Sequence, residues 1–441
     1  MISVIVDIGI ASGLLLVGIL LRANFGIFQR MLLPASVIGG FVGLFLGPNG
    51  LGVLPFSDFL SKYPGVLIAL VYAGLPLSSI MVSLSTMVKR SIDLWAYSSI
   101  AILVQWCGGL ILSLLMLNLW WPDLHPGFGT VLPAGFVGGH GTAAAIGASF
   151  SNLGWDEATS LAMMSATVGI LGSITGGIFW IKWGSENGAT GFLGRFADLP
   201  DEMVTGLLNQ KQRMPAGHAT IAANALDTFA FHLSLIFVIF LIAYQLSELW
   251  AIAFSGFKLP LFCLAFVCGL LVRLLLSRVK VMRYVDQNTV SHLSGSFTDF
   301  LIVFGISSIY FPTVVKYAPQ LTALFVVGFL LSSLTFRTIG PKVLRSNWFE
   351  KAIFTWGWIT GVMAMGIALL RIVDPNNESR VLDSFALAYL FIVPLEVGLI
   401  TIAPQLLIEG YALTLAVVLG ILAIFLFALL AFIKSNADSL D

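Results

Sequence analysis

Residues 131–150 read VLPAGFVGGHGTAAAIGASF, an apolar stretch interrupted at its middle by Gly138-Gly139-His140-Gly141-Thr142. Irregular backbone is tolerated at membrane depth only where it is buried in protein or lines a cavity. A second stretch, at about 352–372, contains TWGWITGVMAMG and is interrupted in a similar way. We therefore predict two re-entrant hairpins, 130–150 and 352–372, each entering and leaving the membrane on one face.

The composition indicates a membrane protein. Of 441 residues, 58% are hydrophobic and 10% charged, with a mean hydropathy of +0.98, whereas a soluble domain carries about 25% charged residues. The 22 basic residues balance the 22 acidic ones, so no net charge attracts a nucleic acid. Cys107, Cys263 and Cys268 lie in apolar runs, and they indicate neither a disulfide framework nor a metal site.

Eleven further apolar runs are long enough to cross about 30 Å of hydrocarbon. They lack the alternation of barrel strands, so the predicted fold is an all-α membrane protein. The runs lie at 2–22, 32–48, 64–86, 92–119, 157–183, 223–246, 257–277, 292–313, 317–338, 384–404 and 410–433. If both hairpins are re-entrant, 19 of the 22 basic residues fall on one side, and only Lys62, Lys258 and Lys316 on the other. The positive-inside rule then predicts an outside N-terminus and a cytoplasmic C-terminus.

Each half of the chain contains a Leu-Pro pair followed by a Gly-Leu pair at the same spacing. Leu33-Pro34 is followed by Gly43-Leu44, and Leu259-Pro260 by Gly269-Leu270 at the same distance. We predict one repeat at 1–183, a cytoplasmic linker at 184–222, a second repeat at 223–404, and an extra span with a tail at 405–441. Because each repeat has five spans, the second copy is inverted, which is typical of secondary transporters with a midplane site.

The first hairpin is the first part of the predicted substrate site. Gly138, Gly139 and Gly141 allow a ligand to approach the main chain. The helix that starts near Thr142 directs unpaired N–H groups at the tip, which suits a carboxylate. His140 would donate a hydrogen bond to substrate or, alternatively, satisfy carbonyl groups of the hairpin itself.

The second hairpin contributes Gly357, Thr360 and Gly361 to the predicted substrate site. The alternative for this hairpin is an aromatic-rich packing helix whose threonines bond to their own carbonyl groups.

The predicted cation site is centred on Asp299, in the middle of an apolar run with Ser296 and Thr298 beside it. An ionisable residue at membrane depth is a functional candidate by default. The three oxygens would coordinate Na⁺, or Asp299 would carry a proton. Glu396, two residues after Pro394, is a weaker candidate of the same kind.

These motifs together resemble the bacterial sodium/glutamate symporter family over nearly the full length of the chain. The similar segments are LPASVIGGFVGL at 33–44, GGHGTAAA at 138–145, ATSLAMMSATVGILGSITGG at 158–177 and FKLPLFCLAFVCGLL at 257–271. The resemblance implies Na⁺-coupled uptake of glutamate by a homodimer in a bacterial inner membrane, with Na⁺ as coupling ion and no other cofactor. It also implies that a unit bearing both hairpins slides, as an elevator, against a fixed scaffold.

Two features depart from that family. TWGWITGVMAMG replaces a glycine-rich, His/Cys-containing signature in the second hairpin, and the span at 410–433 is additional. The alternatives are therefore a transporter of another organic solute, or a cation/proton antiporter on the same scaffold. The sequence has no H-E-x-x-H, G-x-S-x-G or phosphate loop, so we do not expect an enzyme.

Overall fold

The computed structural model describes residues 2–31, 33–78, 84–192, 204–210, 213, 215–253, 261–374 and 378–438. Within these ranges, ten helices are long and apolar enough to cross a membrane. This confirms the predicted all-α membrane fold. The predicted Leu259-Pro260 start of the seventh run lies outside the described residues, as do residues 193–203, 211, 212 and 214 of the linker.

The helices are numbered here in chain order. The first half contains α1 (Ile2–Asn24), α2 (Gly26–Arg30), α3 (Ala35–Leu46), α4 (Tyr63–Ser78), α5 (Leu84–Leu112), α6 (Asn118–Trp120), α7 (Val131–Phe136), α8 (His140–Ser151) and α9 (Glu157–Glu186). The second half contains α10 (Thr228–Ala253), α11 (Leu261–Arg278), α12 (Gln287–Ser307), α13 (Phe311–Lys316), α14 (Ala318–Leu334), α15 (Gly340–Val343), α16 (Trp348–Thr360), α17 (Met363–Val373), α18 (Val381–Ile408) and α19 (Ala412–Asp438). Short π turns, Ser113–Leu117 and Thr335–Ile339, extend α5 and α14.

The second predicted run, 32–48, forms a shorter helix than its apolar length indicates. Helix α3 has 12 residues, about 18 Å of helix, because Pro34 precedes it and Gly47 leaves the helical conformation. The other ten runs correspond to the ten long helices.

The helices pack as two groups. The first helix group consists of α1, α3, α4, α10, α11 and α12, and the second of α5, α7, α8, α9, α14, α16, α17, α18 and α19. In the first group, α4 packs closely on both α11 and α12. In the second group, α9 contacts α7, α8, α16 and α17. The two groups meet where α8 contacts α4 and α12, and where α9 contacts α12.

Candidate substrate site at two helix breaks

The first predicted hairpin contains a helix break at residues 137–139. Helix α7 ends at Phe136 and α8 begins at His140. Gly138 and Gly139 between them have φ angles of 80° and 68°, which residues with a Cβ rarely adopt. The glycines predicted at this tip are therefore required by the backbone that separates the two helices.

The second predicted hairpin is broken at Gly361 and Val362. Helix α16 ends at Thr360 and α17 begins at Met363. The two helices then lie side by side, since a Cβ atom at Gly357 would lie 2.5 Å from the Cα of Gly366. The contact lies symmetrically about the break, so α16 and α17 run antiparallel.

Helix α9 brings the two breaks together. Ser165 lies against Leu132 of α7, and Gly169 lies against Phe136, where α7 ends. The opposite half of α9 packs on α16: Gly184 meets Phe349, and Gly169 meets the Thr360 carbonyl group. Helix α7 therefore runs parallel to α9 and α16 antiparallel to it. Both end near Gly169, close to the middle of a 30-residue helix about 45 Å long.

The returning helices complete two opposed pairs. Helix α8 leads back from His140, beside Thr167, to Gly147, beside Thr159 near the start of α9. Helix α17 leads back toward the other end of α9, where Leu369 contacts Gly177. Each pair thus enters and leaves at one end of α9, and the two pairs come from opposite ends.

The tips of the two pairs touch. A Cβ atom at Gly139 would collide with Cγ1 of Val362 and lie 3.0 Å from the Gly361 carbonyl oxygen. A Cβ atom at Gly361 would lie 3.0 Å from Cβ of Ser173. The structure therefore places the first-hairpin tip, Gly361 and Thr360 in one region on the middle of α9.

His140 is fully buried at this tip. The Thr167 hydroxyl donates to the Met163 carbonyl oxygen at 2.9 Å, and His140 Nε2 lies 3.2 Å from the same hydroxyl oxygen. Since the Thr167 proton is already engaged, this network assigns the donor role to His140 Nε2 and leaves Nδ1 as an acceptor. Nδ1 is buried and has no hydrogen-bond partner within the described part of the chain.

Two helix N-termini face the breaks. In α8, the first intrahelical bond recorded at the break runs from the Ala143 N–H to the Gly139 carbonyl oxygen at 3.0 Å. The N–H groups of His140, Gly141 and Thr142 precede it and belong to the first turn, whose donors have no intrahelical acceptor. In α17 the corresponding first bond is donated by Met365 to Val362 at 2.8 Å. The site thus presents the positive ends of two helix dipoles.

The hydroxyl groups of the second hairpin are used within the protein. Thr360 donates to the Trp356 carbonyl oxygen at 2.7 Å, and Thr355 to that of Lys351 at 2.9 Å. Ser173 donates to the Gly357 carbonyl oxygen at 3.1 Å, and Trp356 Nε1 donates to the Ser173 carbonyl oxygen at 3.0 Å. These bonds match the packing alternative for this hairpin, so its free polar groups are main-chain groups at the break.

The predicted cation residues lie on α12. Ser296 and Thr298 donate to carbonyl oxygens of their own helix, His292 and Ser294, each at 2.9 Å. Asp299 is exposed and faces Ser36 of α3. Among the described residues, no recorded hydrogen bond joins these three side chains to either helix break.

A cavity of about 440 Å³ lies at the seam between the two helix groups. Its walls include Gly65 and Val66 of α4 and Ala144 and Ala148 of α8. Toward the break, Ile68 of α4 lies beside Gly141, since a Cβ atom there would be 3.5 Å from Ile68 Cδ1. The cavity therefore approaches the first-hairpin tip along α8.

The polar residues of α9 are not among the site residues predicted from the sequence. The structure shows that Thr167, Gly169 and Ser173 are where both hairpins end. The available signal was the clustering of Gly169, Gly172, Gly176 and Gly177 on a single long apolar run. Gly172 and Gly176 admit the Phe329 and Trp356 rings.

The match to a known protein family covers most of the chain. The model of the sodium/glutamate symporter family matches residues 1–368. That range includes both helix breaks and ends within α17. No curated protein matches the chain.

Proposed function

Since the chain belongs to the sodium/glutamate symporter family, we propose that it takes up glutamate or a similar small carboxylate by binding it between the two helix breaks. Membership makes the protein a Na⁺-coupled membrane transporter rather than an enzyme, with Na⁺ as its coupling ion. The observation that carries the proposed site is the meeting of two opposed helix pairs, tip to tip, on the middle of α9.

The proposed solute contacts follow from the free polar groups at the tips. One carboxylate is bound by the N–H groups of His140, Gly141 and Thr142, because a helix N-terminus favours an anion. The start of α17 offers a second such terminus across the break. A dicarboxylate therefore needs no basic side chain here, which fits the position of Arg371. That residue is exposed in the last turn of α17, about 12 Å along the helix from Met363.

His140 adds specificity for an amino acid. Its Nδ1 atom is a buried acceptor without a partner among the described residues, and a buried acceptor left unsatisfied is costly. An ammonium group of the solute would supply the missing donor. We therefore favour an α-amino dicarboxylate over a simple dicarboxylate.

We propose a cation site at Asp299 because of the oxygen-bearing side chains around it. Asp299, with Ser296 and Thr298 on the same helix and Ser36 facing it, provides oxygen ligands of the kind that hard cations prefer. In this proposal Asp299 lies on the cation path.

Alternating access is proposed to arise from sliding of the second helix group along the first. The seam between them is lined by small residues: a Cβ atom at Gly65 would lie 3.3 Å from Cβ of Ala148.

We also propose that the halves are inverted repeats. Equivalent helices of the two halves make equivalent contacts, which supports this proposal. The contact of α3 with α12 corresponds to that of α11 with α4, and the contact of α1 with α3 corresponds to that of α10 with α11.

We also propose how the chain is oriented in the membrane. Opposed hairpins would re-enter from the two faces, with the N-terminus outside and the C-terminus in the cytoplasm of a bacterial inner membrane. The expected partners are membrane lipid and a second copy of the chain in a homodimer.

Uptake of radiolabelled glutamate into proteoliposomes tests this function. An inward Na⁺ gradient should drive accumulation, and unlabelled α-amino dicarboxylates should compete better than dicarboxylates that lack the amino group. Asp299→Asn should abolish the Na⁺ dependence, whereas Asp123→Asn, in an exposed loop, should not. Na⁺-dependent proton flux without any organic solute would instead support the antiporter alternative.

A further inference from the structure

Glu396 on α18 is a buried carboxyl group that the proposed function does not use. Only 7% of the residue is exposed, and its Oε1 atom has no hydrogen-bond partner within the described ranges. An ionised carboxylate in such a place is strongly disfavoured unless a cation or donors compensate it. The group therefore holds a proton or requires an ion.

The ionisable groups that interact electrostatically with Glu396 are phenols, which carry no charge at neutral pH. They are the phenols of Tyr72, on α4, and Tyr389, on α18 itself. The thiol of Cys263, on α11, lies beside Tyr72 and contacts Thr401 of α18. None of these groups can balance a carboxylate charge.

The charged groups on the surrounding helices have partners of their own. Lys351 of α16 bonds to Asp93 of α5 at 2.6 Å, and Glu350 accepts from the Gly191 N–H at 2.6 Å. Arg273 of α11 donates to the Pro76 carbonyl oxygen of α4. On α8, His140 is held by Thr167. Among the side chains that the structure describes, none of these groups is recorded in contact with Glu396.

Glu396 also lies at the seam between the two helix groups. It belongs to the second group, whereas Tyr72, which faces it, belongs to the first. Ile68, one turn before Tyr72 on α4, contacts α8 at Gly141, and the 440 Å³ cavity begins a turn further on at Gly65 and Val66. A movement of one helix group along the other would separate Glu396 from Tyr72 and change the surroundings of its carboxyl group.

We propose that Glu396 is a proton-binding site of the transport cycle. The carboxyl group is protonated while it lies against Tyr72, releases the proton to water on one side of the membrane when the seam opens, and takes up a proton from the other side after the two helix groups have moved back. Transport is then linked to H⁺ as well as to Na⁺. This inference rests on the proposed function only in requiring that the two groups move.

Proton movement during uptake tests the proposal in proteoliposomes that contain a pH-sensitive dye. The wild type should show H⁺ flux that depends on both Na⁺ and glutamate. Glu396→Gln, a neutral mimic of the protonated carboxyl, should lose that flux, and its exchange of labelled for unlabelled glutamate should become independent of pH. The control Glu409→Gln changes an exposed carboxylate at the end of the same helix and should behave as the wild type. An unaltered H⁺ flux and pH profile in Glu396→Gln would overturn the proposal.

An infrared measurement keeps the proposal testable without transport. Spectra of the reconstituted protein at neutral pH should contain a carbonyl band of a protonated carboxyl group that is absent in Glu396→Gln and displaced in Glu396→Asp. If both variants keep the wild-type band, Glu396 is not the protonated group. Lack of Na⁺-driven glutamate uptake by the wild type would contradict the proposed function, while the infrared band would still decide the state of Glu396.

Discussion

Replacement of Gly139 by alanine tests whether the two tips form one site. Gly139 has φ 68° and ψ −142°, a region that is nearly restricted to glycine and costs other residues about 1–3 kcal/mol. The new Cβ atom would also collide with Cγ1 of Val362. We expect Gly139→Ala to destabilise the binding conformation of the tip by about 2 kcal/mol, which weakens glutamate binding about 30-fold.

The collision part of that loss should be reversible from the other hairpin. Val362→Ala removes Cγ1 and leaves the backbone of Gly139 as strained as before. The double variant should therefore bind glutamate more tightly than Gly139→Ala alone, with a coupling of about 1 kcal/mol.

Equilibrium binding of labelled glutamate to the purified protein provides the measurement for all three variants. Gly398→Ala serves as the matched control, because a Cβ atom there meets nothing within 4 Å. Thermal unfolding should show that each variant is folded. Strictly additive losses for Gly139→Ala and Val362→Ala would refute the contact between the tips as part of the site.

Three further substitutions test individual interactions. Thr167→Val should cost about 1–3 kcal/mol of unfolding free energy, because a buried histidine donor loses its acceptor; a wild-type unfolding midpoint would contradict the assigned network. Lys351→Met should cost about 3–5 kcal/mol by leaving Asp93 uncompensated, and Asp93→Asn in the same chain should restore much of it, as measured by thermal unfolding. Asp286→Ala should cost about 1 kcal/mol by removing the N-cap of α12. Burial raises the pKa of Asp286, but hydrogen bonds from Thr289 outweigh this and lower it. The cap therefore stabilises above the unfolded pKa, and the difference from wild type should vanish as pH falls through the folded pKa.

The long helices and the first break were predictable because their signals are local. Twenty or more apolar residues specify a membrane helix, and Gly138-Gly139 marks a backbone that only glycine adopts readily. The length of α3 also had a local signal in Pro34 and Gly47. Hydropathy alone obscured it, because Leu32 and Leu33, which precede Pro34, are apolar as well.

The parts that could not be predicted depend on contacts between distant segments. Nothing in the sequence around Gly169 indicates that the Thr360 carbonyl group lies against it, almost 200 residues later. The hydroxyl of Thr360 appeared available as a ligand until its bond to Trp356 was known. Likewise, the sequence places Glu396 in an apolar helix, but its lack of a partner becomes visible only when the other helices are packed around it.

The proposed substrate site is tested most directly by an experimental structure of the protein saturated with glutamate and Na⁺. Solute density is expected between the N-termini of α8 and α17, within hydrogen-bonding distance of the His140, Gly141 and Thr142 N–H groups. Density for glutamate at a place remote from both helix breaks would contradict it.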